Sequence, residues 1–321
     1  MTTFADVLRM SVGPSPDLQQ RLRLMQEIES ITGRGLLVYA ADLQKANAPV
    51  PNTIDRSDKV GFSDLVNGYE GKPIDILLES PGGLAEAAEE IVGLLRSRCP
   101  SIRFVVPGNA MSAATLIALS GDAILMDDRS SLGPIDPQVA VPMGNGMIRV
   151  PAQTILDGFE KARNQILRDG PQAIPAFMPL LTKYDLHLLE ICDNAKTLSH
   201  SLAVQWLSKY MLTGDESQRL KDAQQIADQL IDHSQFLSHG RSVRIDRAQQ
   251  IGLNILDLRT QPELQEKFWQ LYCWILVFLE RSGSVKMFEN GLGINWSRQI
   301  RQQADKPANA SQKSAGKKHK R

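Results

Sequence analysis

Cysteine is scarce in this chain: Cys99, Cys192 and Cys273 are the whole set, odd in number and without CxxC spacing. That excludes a disulfide framework and a cysteine-rich zinc site, and it suits reduced, buried thiols of a cytosolic protein. Charge of one sign is not in excess either. Lysine plus arginine total 36 and aspartate plus glutamate also total 36, so the basic surplus of a nucleic-acid binder is missing. Long apolar runs are short here. The most hydrophobic segment, FWQLYCWILVFL at 268–279, is about half of the ~20 residues that a spanning helix needs, so a buried or interface helix is expected there. The start, MTTFADVLRM, lacks a charged region followed by an apolar stretch, so no secretory signal is expected. Five histidines occur, none in an HExxH pattern, and no metal or cofactor is expected. These absences together point to a cytoplasmic globular protein.

The chain of 321 residues is 42% hydrophobic and 22% charged, enough to bury a large core. DLQQRLRLMQEIES at 17–30 reads as a polar helix with an apolar stripe, GRGLLVYAA as a first strand, and 43–60 as a long proline-containing loop. IDILL at 74–78 is a short apolar run of the kind covered on both faces. Between 84 and 98 the apolar residues Leu84, Ala87, Ala88, Ile91, Leu94 and Leu95 repeat at helical spacing. IRFVV at 102–106 and AILM at 123–126 are further strands, with a compact helix between them closed by Gly121. Strand, helix, strand, helix, strand with short links means right-handed crossovers and a parallel sheet, an α/β fold. Beyond about residue 150 the pattern is helical, at 153–168, 185–210, 217–233, 246–251 and 263–281, with one short strand at 253–258. The final KPANASQKSAGKKHKR has no apolar periodicity and reads as a disordered basic tail.

In open parallel sheets, ligands sit beyond the carboxyl ends of the strands. Two segments leave strands there: Ser80-Pro81-Gly82-Gly83 and Gly108-Asn109-Ala110-Met111-Ser112. Paired glycines let the backbone approach a ligand and turn its N–H groups outward. Ser112 falls at the start of a helix, where unpaired N–H groups favour a developing anion. The N–H of Gly82 or Gly83 on one side and of Ala113 on the other would form an oxyanion hole, each donor worth about 3–4 kcal/mol at a transition state. A plain helix cap is the simpler reading of Ser112; the SPGG turn one crossover earlier favours a nucleophile.

SPGG, AMSAATLIALSGDAILMD and LGPIDPQ resemble the serine dehydrogenase proteinase family, related to signal peptide peptidase A and to the proteolytic subunits of Clp protease. RLRLMQEIES, VPAQTIL, SHGRSV with AQQIGL, and VKMFENGLG extend the resemblance over about 20–295. It implies a Clp/crotonase fold with a helical C-terminal part: an N-terminal helical segment at 1–30, a protease domain at 31–260, a helical C-terminal extension at 261–300 and the tail at 301–321. It implies a serine endopeptidase in which Ser112 is acylated and Gly83 and Ala113 supply the oxyanion hole. Peptide or protein substrates, a homo-oligomer enclosing its sites, and an ATPase or membrane-protein partner go with it. The chain departs from the family in having Ala113 and Ala114 where two glycines are usual, and Ser80 where threonine is common.

A serine hydroxyl needs a base. The Clp-type histidine has no counterpart in Leu132-Gly133-Pro134-Ile135-Asp136, where Asp136 reads as a turn residue. Lys161 is the candidate for a signal-peptide-peptidase-like dyad, although Ile155, Phe159, Ala162 and Ile166 form the apolar face of its helix and Lys161 points away from it. His239, in the polar SHGR loop, is the other candidate, with Asp232 near enough in sequence to orient it. Two rival readings are a crotonase-like acyl-CoA enzyme, which would not need the serine, and a catalytically silent oligomeric adaptor.

Overall fold

The computed structural model describes residues 17–46, 49–143, 146–181, 186–232 and 242–300. In chain order the helices are α1 (Asp17–Thr32), α2 (Asp58–Leu65), α3 (Ala85–Arg98), α4 (Ala113–Leu119), α5 (Ala152–Asp169), α6 (Ile174–Leu181), α7 (Leu186–Trp206), α8 (Glu216–Ile231), α9 (Ile245–Gln250) and α10 (Pro262–Arg281). The strands are β1 (Gly35–Ala41), β2 (Ile74–Glu79), β3 (Ile102–Val105), β4 (Asn109–Ala110), β5 (Ala123–Met126), β6 (Ser131–Leu132), β7 (Gln138–Met143), β8 (Gly146–Pro151), β9 (Val243–Arg244), β10 (Ile255–Asp257), β11 (Ser284–Asn290) and β12 (Asn295–Gln299).

The central sheet has seven strands in the order β10-β5-β3-β2-β1-β11-β12. The five strands from β10 to β1 are mutually parallel, as the alternation of apolar runs and helices predicts. Both faces are covered. Leu37, Tyr39, Ile76, Leu78 and Phe104 pack toward α2, α3, α4, α7 and α8. The alternate residues Leu36, Val38, Leu77 and Val105 pack toward α1 and α10. This two-sided burial is why the strands read as unbroken apolar runs. The FWQLYCWILVFL segment lies in α10, with Phe268, Leu271, Cys273, Ile275 and Val277 buried against the sheet. No described helix is long and apolar enough to cross a membrane. The three cysteines are free and buried.

Two expectations are corrected. The stretch 43–60 is not loop throughout, because α2 begins at Asp58. The C-terminal 261–300 is not helical throughout: helix ends at Arg281, β11 adds antiparallel to β1, and β12 adds antiparallel to β11, extending the sheet. Lys286, Glu289 and Asn290 on β11 are buried yet polar, which hides the strand from an apolar pattern. Residues 1–16 and the 301–321 tail lie outside the described residues.

Candidate active site

The end of β2 and the segment after β3 run side by side. Ser80 N–H donates to Asn109 O (2.8 Å) and Met111 N–H donates to Ser80 O (3.0 Å), so the SPGG turn is laced to the strand entering Ser112. Beneath them, the buried Thr115 hydroxyl donates to Ala110 O (2.7 Å) and lies 3.0 Å from Gly133 O, and Gly133 N–H donates back to it. One side chain of α4 therefore fixes LGPID against the serine strand.

Gly82 adopts φ 95° and lies directly against the serine. A Cβ there would stand 2.4 Å from Met111 O, 2.7 Å from Ser112 Cβ and 3.2 Å from Ala113 N, so only glycine permits the approach. A strap formed by residues 52–54 flanks the other side of the turn. Ile54 N–H donates to Gly82 O (2.7 Å) and Leu84 N–H donates to Ile54 O (3.0 Å). Among the described residues, the N–H groups of Gly83 and Ala113 have no acceptor.

Ser112 sits at the N-cap position of α4, yet its side chain makes no capping hydrogen bond. Its φ of 53° with ψ −116° is the one positive φ among the described non-glycine residues. A serine that strains the backbone and does not cap is poorly explained as a cap. It is half-buried and lines a cavity of about 560 Å³ together with Gly83 and Ala113. The remaining wall comes from Thr53 of the strap, Val139 of β7, Arg149 of β8, Leu116, Ile135, and Ile191 and Leu198 of α7. The space is mostly apolar, with the Ser112 side chain and two amides without acceptors at one end.

Behind the SPGG turn, on the sheet's opposite face, Glu79 is fully buried and accepts from Asn109 N–H (2.7 Å) and from Tyr272. Burial pushes its carboxyl up to about 7, although the hydrogen bonds pull the other way.

Of the sequence-predicted residues, Ser112, Gly83 and Ala113 come together. Lys161 does not join them: it is exposed on α5 and is not part of the cavity wall. His239 lies outside the described residues. His200 instead pairs with Asp228 between α7 and α8 (2.9 Å). Among the described residues, no group of histidine, cysteine, aspartate or glutamate could hold a metal ion. Sequence reasoning missed the strap and the β7–β8 hairpin. The hairpin had a signal in the Gly144-Asn145-Gly146 turn sequence after an alternating run; the strap had none.

Residues 49–176 match the family described as ClpP-like SDH-type serine proteinase. Two uncharacterized proteins of Methanocaldococcus jannaschii are similar, one 35% identical over 172 residues (52% of this chain, 58% of the relative), the other 30% identical over 154 residues (46% and 50%). The chain thus spans about half the length of the curated relatives it matches. Among solved structures, the 1510-N membrane-bound stomatin-specific protease is 19% identical, with a TM-score of 0.39 over 67% of this chain and 79% of that one. ClpP1 from Listeria monocytogenes is 13% identical, with a TM-score of 0.38 over 76% and 97%. The matched stretch, residues 49–176, carries the SPGG turn, Ser112 and the cavity's hairpin.

Proposed function

We propose that this chain is a serine endopeptidase in which Ser112 attacks the scissile carbonyl and the N–H groups of Gly83 and Ala113 receive the oxyanion. One observation carries the reading. Ser112 is held in a strained, non-capping conformation beside two amides that lack acceptors among the described residues. The Ser112 oxygen bonds to the carbonyl carbon and its proton passes to a base. Collapse of the tetrahedral intermediate expels the amine, which takes that proton. Water then attacks the acyl-enzyme by the same route in reverse.

His239 is the base we favour over Lys161, on the placement of the described residues that flank it. Leu230, before it, accepts a hydrogen bond from Ile135 N–H (3.0 Å). Val243, after it, pairs with Leu132 on β6, and β6 pairs with β4 just ahead of Ser112. One end of that segment is therefore tied to Ile135, which lines the cavity beside Ser112, and the other to β6, which adjoins the serine strand. The apolar cavity wall suits a peptide substrate with hydrophobic side chains. Self-association is the assembly proposed, with Met147 and Ile148 on β8 and Ile174 and Met178 on α6 as exposed apolar residues available to it.

A fluorophosphonate probe followed by mapping of the modified residue tests the reading. The expected result is a single adduct on Ser112, lost in Ser112→Ala together with peptide cleavage. Peptide cleavage that survives Ser112→Ala would reject it. For the base, pH–rate profiles of His239→Ala and Lys161→Ala should show loss of the acidic limb in the first and its retention in the second.

A further inference from the structure

Lys286 of β11 is fully buried, and so is Asp58 at the first turn of α2. Lys286 Nζ lies 2.8 Å from Asp55 Oδ2, 3.0 Å from Asp58 Oδ1 and 2.9 Å from Asp58 Oδ2, with Arg298 Nε 3.7 Å from Asp58. A buried ion cluster of this kind is a poor source of net stability, since apolar side chains of equal volume would serve as well. What it supplies is fixed direction.

Two chains of hydrogen bonds leave the cluster and meet on one residue. In the first, Tyr39 O–H donates to Asp58 Oδ2 (3.0 Å), the Ser80 side chain lies beside the Tyr39 hydroxyl, and Gly82 N–H donates to Ser80 Oγ (3.2 Å). In the second, Asp55 is gripped by Lys286 and its N–H donates to Asp58 Oδ2 (3.0 Å); its neighbour Ile54 donates its own N–H to Gly82 O (2.7 Å). Gly82 O and Gly83 N–H belong to the same planar trans peptide and point in opposite directions. Holding the carbonyl toward the strap therefore aims the Gly83 N–H away from it, while the Ser80 contact fixes the preceding peptide plane.

We infer that Lys286, Asp58 and Tyr39 are positioning residues for the oxyanion hole, setting the direction of the Gly83 N–H from the far end of two hydrogen-bonded chains. The inference rests on the Ser112 protease reading above. Lys286 and Arg298 come from the C-terminal hairpin, outside the 49–176 family segment, so that hairpin would be required for catalysis and not merely for closing the sheet.

The test is saturable fluorophosphonate labelling of the full-length protein, comparing wild type with Tyr39→Phe and Lys286→Met and following melting temperature alongside. Misaiming one donor should lower the maximal labelling rate by about 10–100-fold while the half-saturating probe concentration stays within about twofold. Should Lys286→Met not fold, Tyr39→Phe, which keeps the ring in place, and Ser80→Ala, which cuts the same chain at its other end, carry the measurement. An unchanged maximal rate in Tyr39→Phe and Ser80→Ala, or equal movement of both constants, overturns the inference. If wild type is labelled on Ser112 and these variants are labelled at the same maximal rate, the positioning idea alone fails. If Ser112 is not labelled in wild type, the protease reading fails and the inference falls with it.

Discussion

Ser112 is the residue on which backbone strain and the proposed chemistry meet. At φ 53° and ψ −116° a side chain is crowded, and such conformations cost about 1–3 kcal/mol. Because no capping bond offsets this, Ser112→Gly should be more stable than wild type by about 1 kcal/mol, after the greater flexibility of glycine in the unfolded chain is allowed for. Urea denaturation decides it: a capping serine predicts the opposite sign, because replacing a cap by glycine costs a few tenths of a kcal/mol. The serine and its glycine pair were readable from sequence, since a polar hydroxyl in AMSAATLIAL and a turn after IDILL are local facts. The base was not. An imidazole reaches a hydroxyl through tertiary placement, and residue types spread along helices and loops give no spacing rule for that. Nor could sequence show that Ile54 lies on Gly83, a contact made through backbone atoms alone.

At the scale of elements, legibility followed how each strand buries itself. AILM at β5 and IDILL at β2 are buried on both faces by apolar side chains, so sequence and structure agree nearly residue for residue. β11 is equally buried, but its Glu289 is neutralised by Arg21 of α1 across 268 positions of chain. No local window contains both partners. Arg21 Nε and Nη2 donate to the two Glu289 oxygens at 2.8 and 2.7 Å, and the guanidinium stands 4.6 Å from the Phe278 ring centre of α10. One side chain thus joins α1, α10 and β11. Arg21→Ala leaves the Glu289 carboxylate buried without its partner, and should destabilise the protein by about 3–5 kcal/mol. The double variant Arg21→Met with Glu289→Met should recover most of that loss. Denaturation curves in which Arg21→Ala unfolds at the wild-type midpoint would show that this pair does not dock α1.

For the molecule as a whole, the buried Glu79 sets a slope of stability with pH. Its folded value of about 7 lies above the 4.5 of an exposed glutamate. Between those values the native state keeps a proton that the unfolded chain releases, so the contribution is complete below pH 4.5 and is lost as pH rises toward 7. The total is on the order of 3 kcal/mol. Opposing it, Asp55 and Asp127 are held below the usual carboxylate range by Lys286 and Arg129 against the cost of burial. Their stabilisation is present at higher pH and disappears only as pH falls through the acidic range. Stability should therefore peak in mildly acid solution, near pH 5, and decline toward pH 8. Glu79→Gln removes the titrating group and should flatten the decline between pH 5 and 8 while leaving the acid limb in place. Midpoints of urea unfolding measured across that range would show equal slopes in both proteins if Glu79 were already ionised at pH 5. Because Asn109 N–H donates to the same carboxylate three residues before Ser112, the proton that stabilises the fold sits one hydrogen bond from the strand that leads into Ser112.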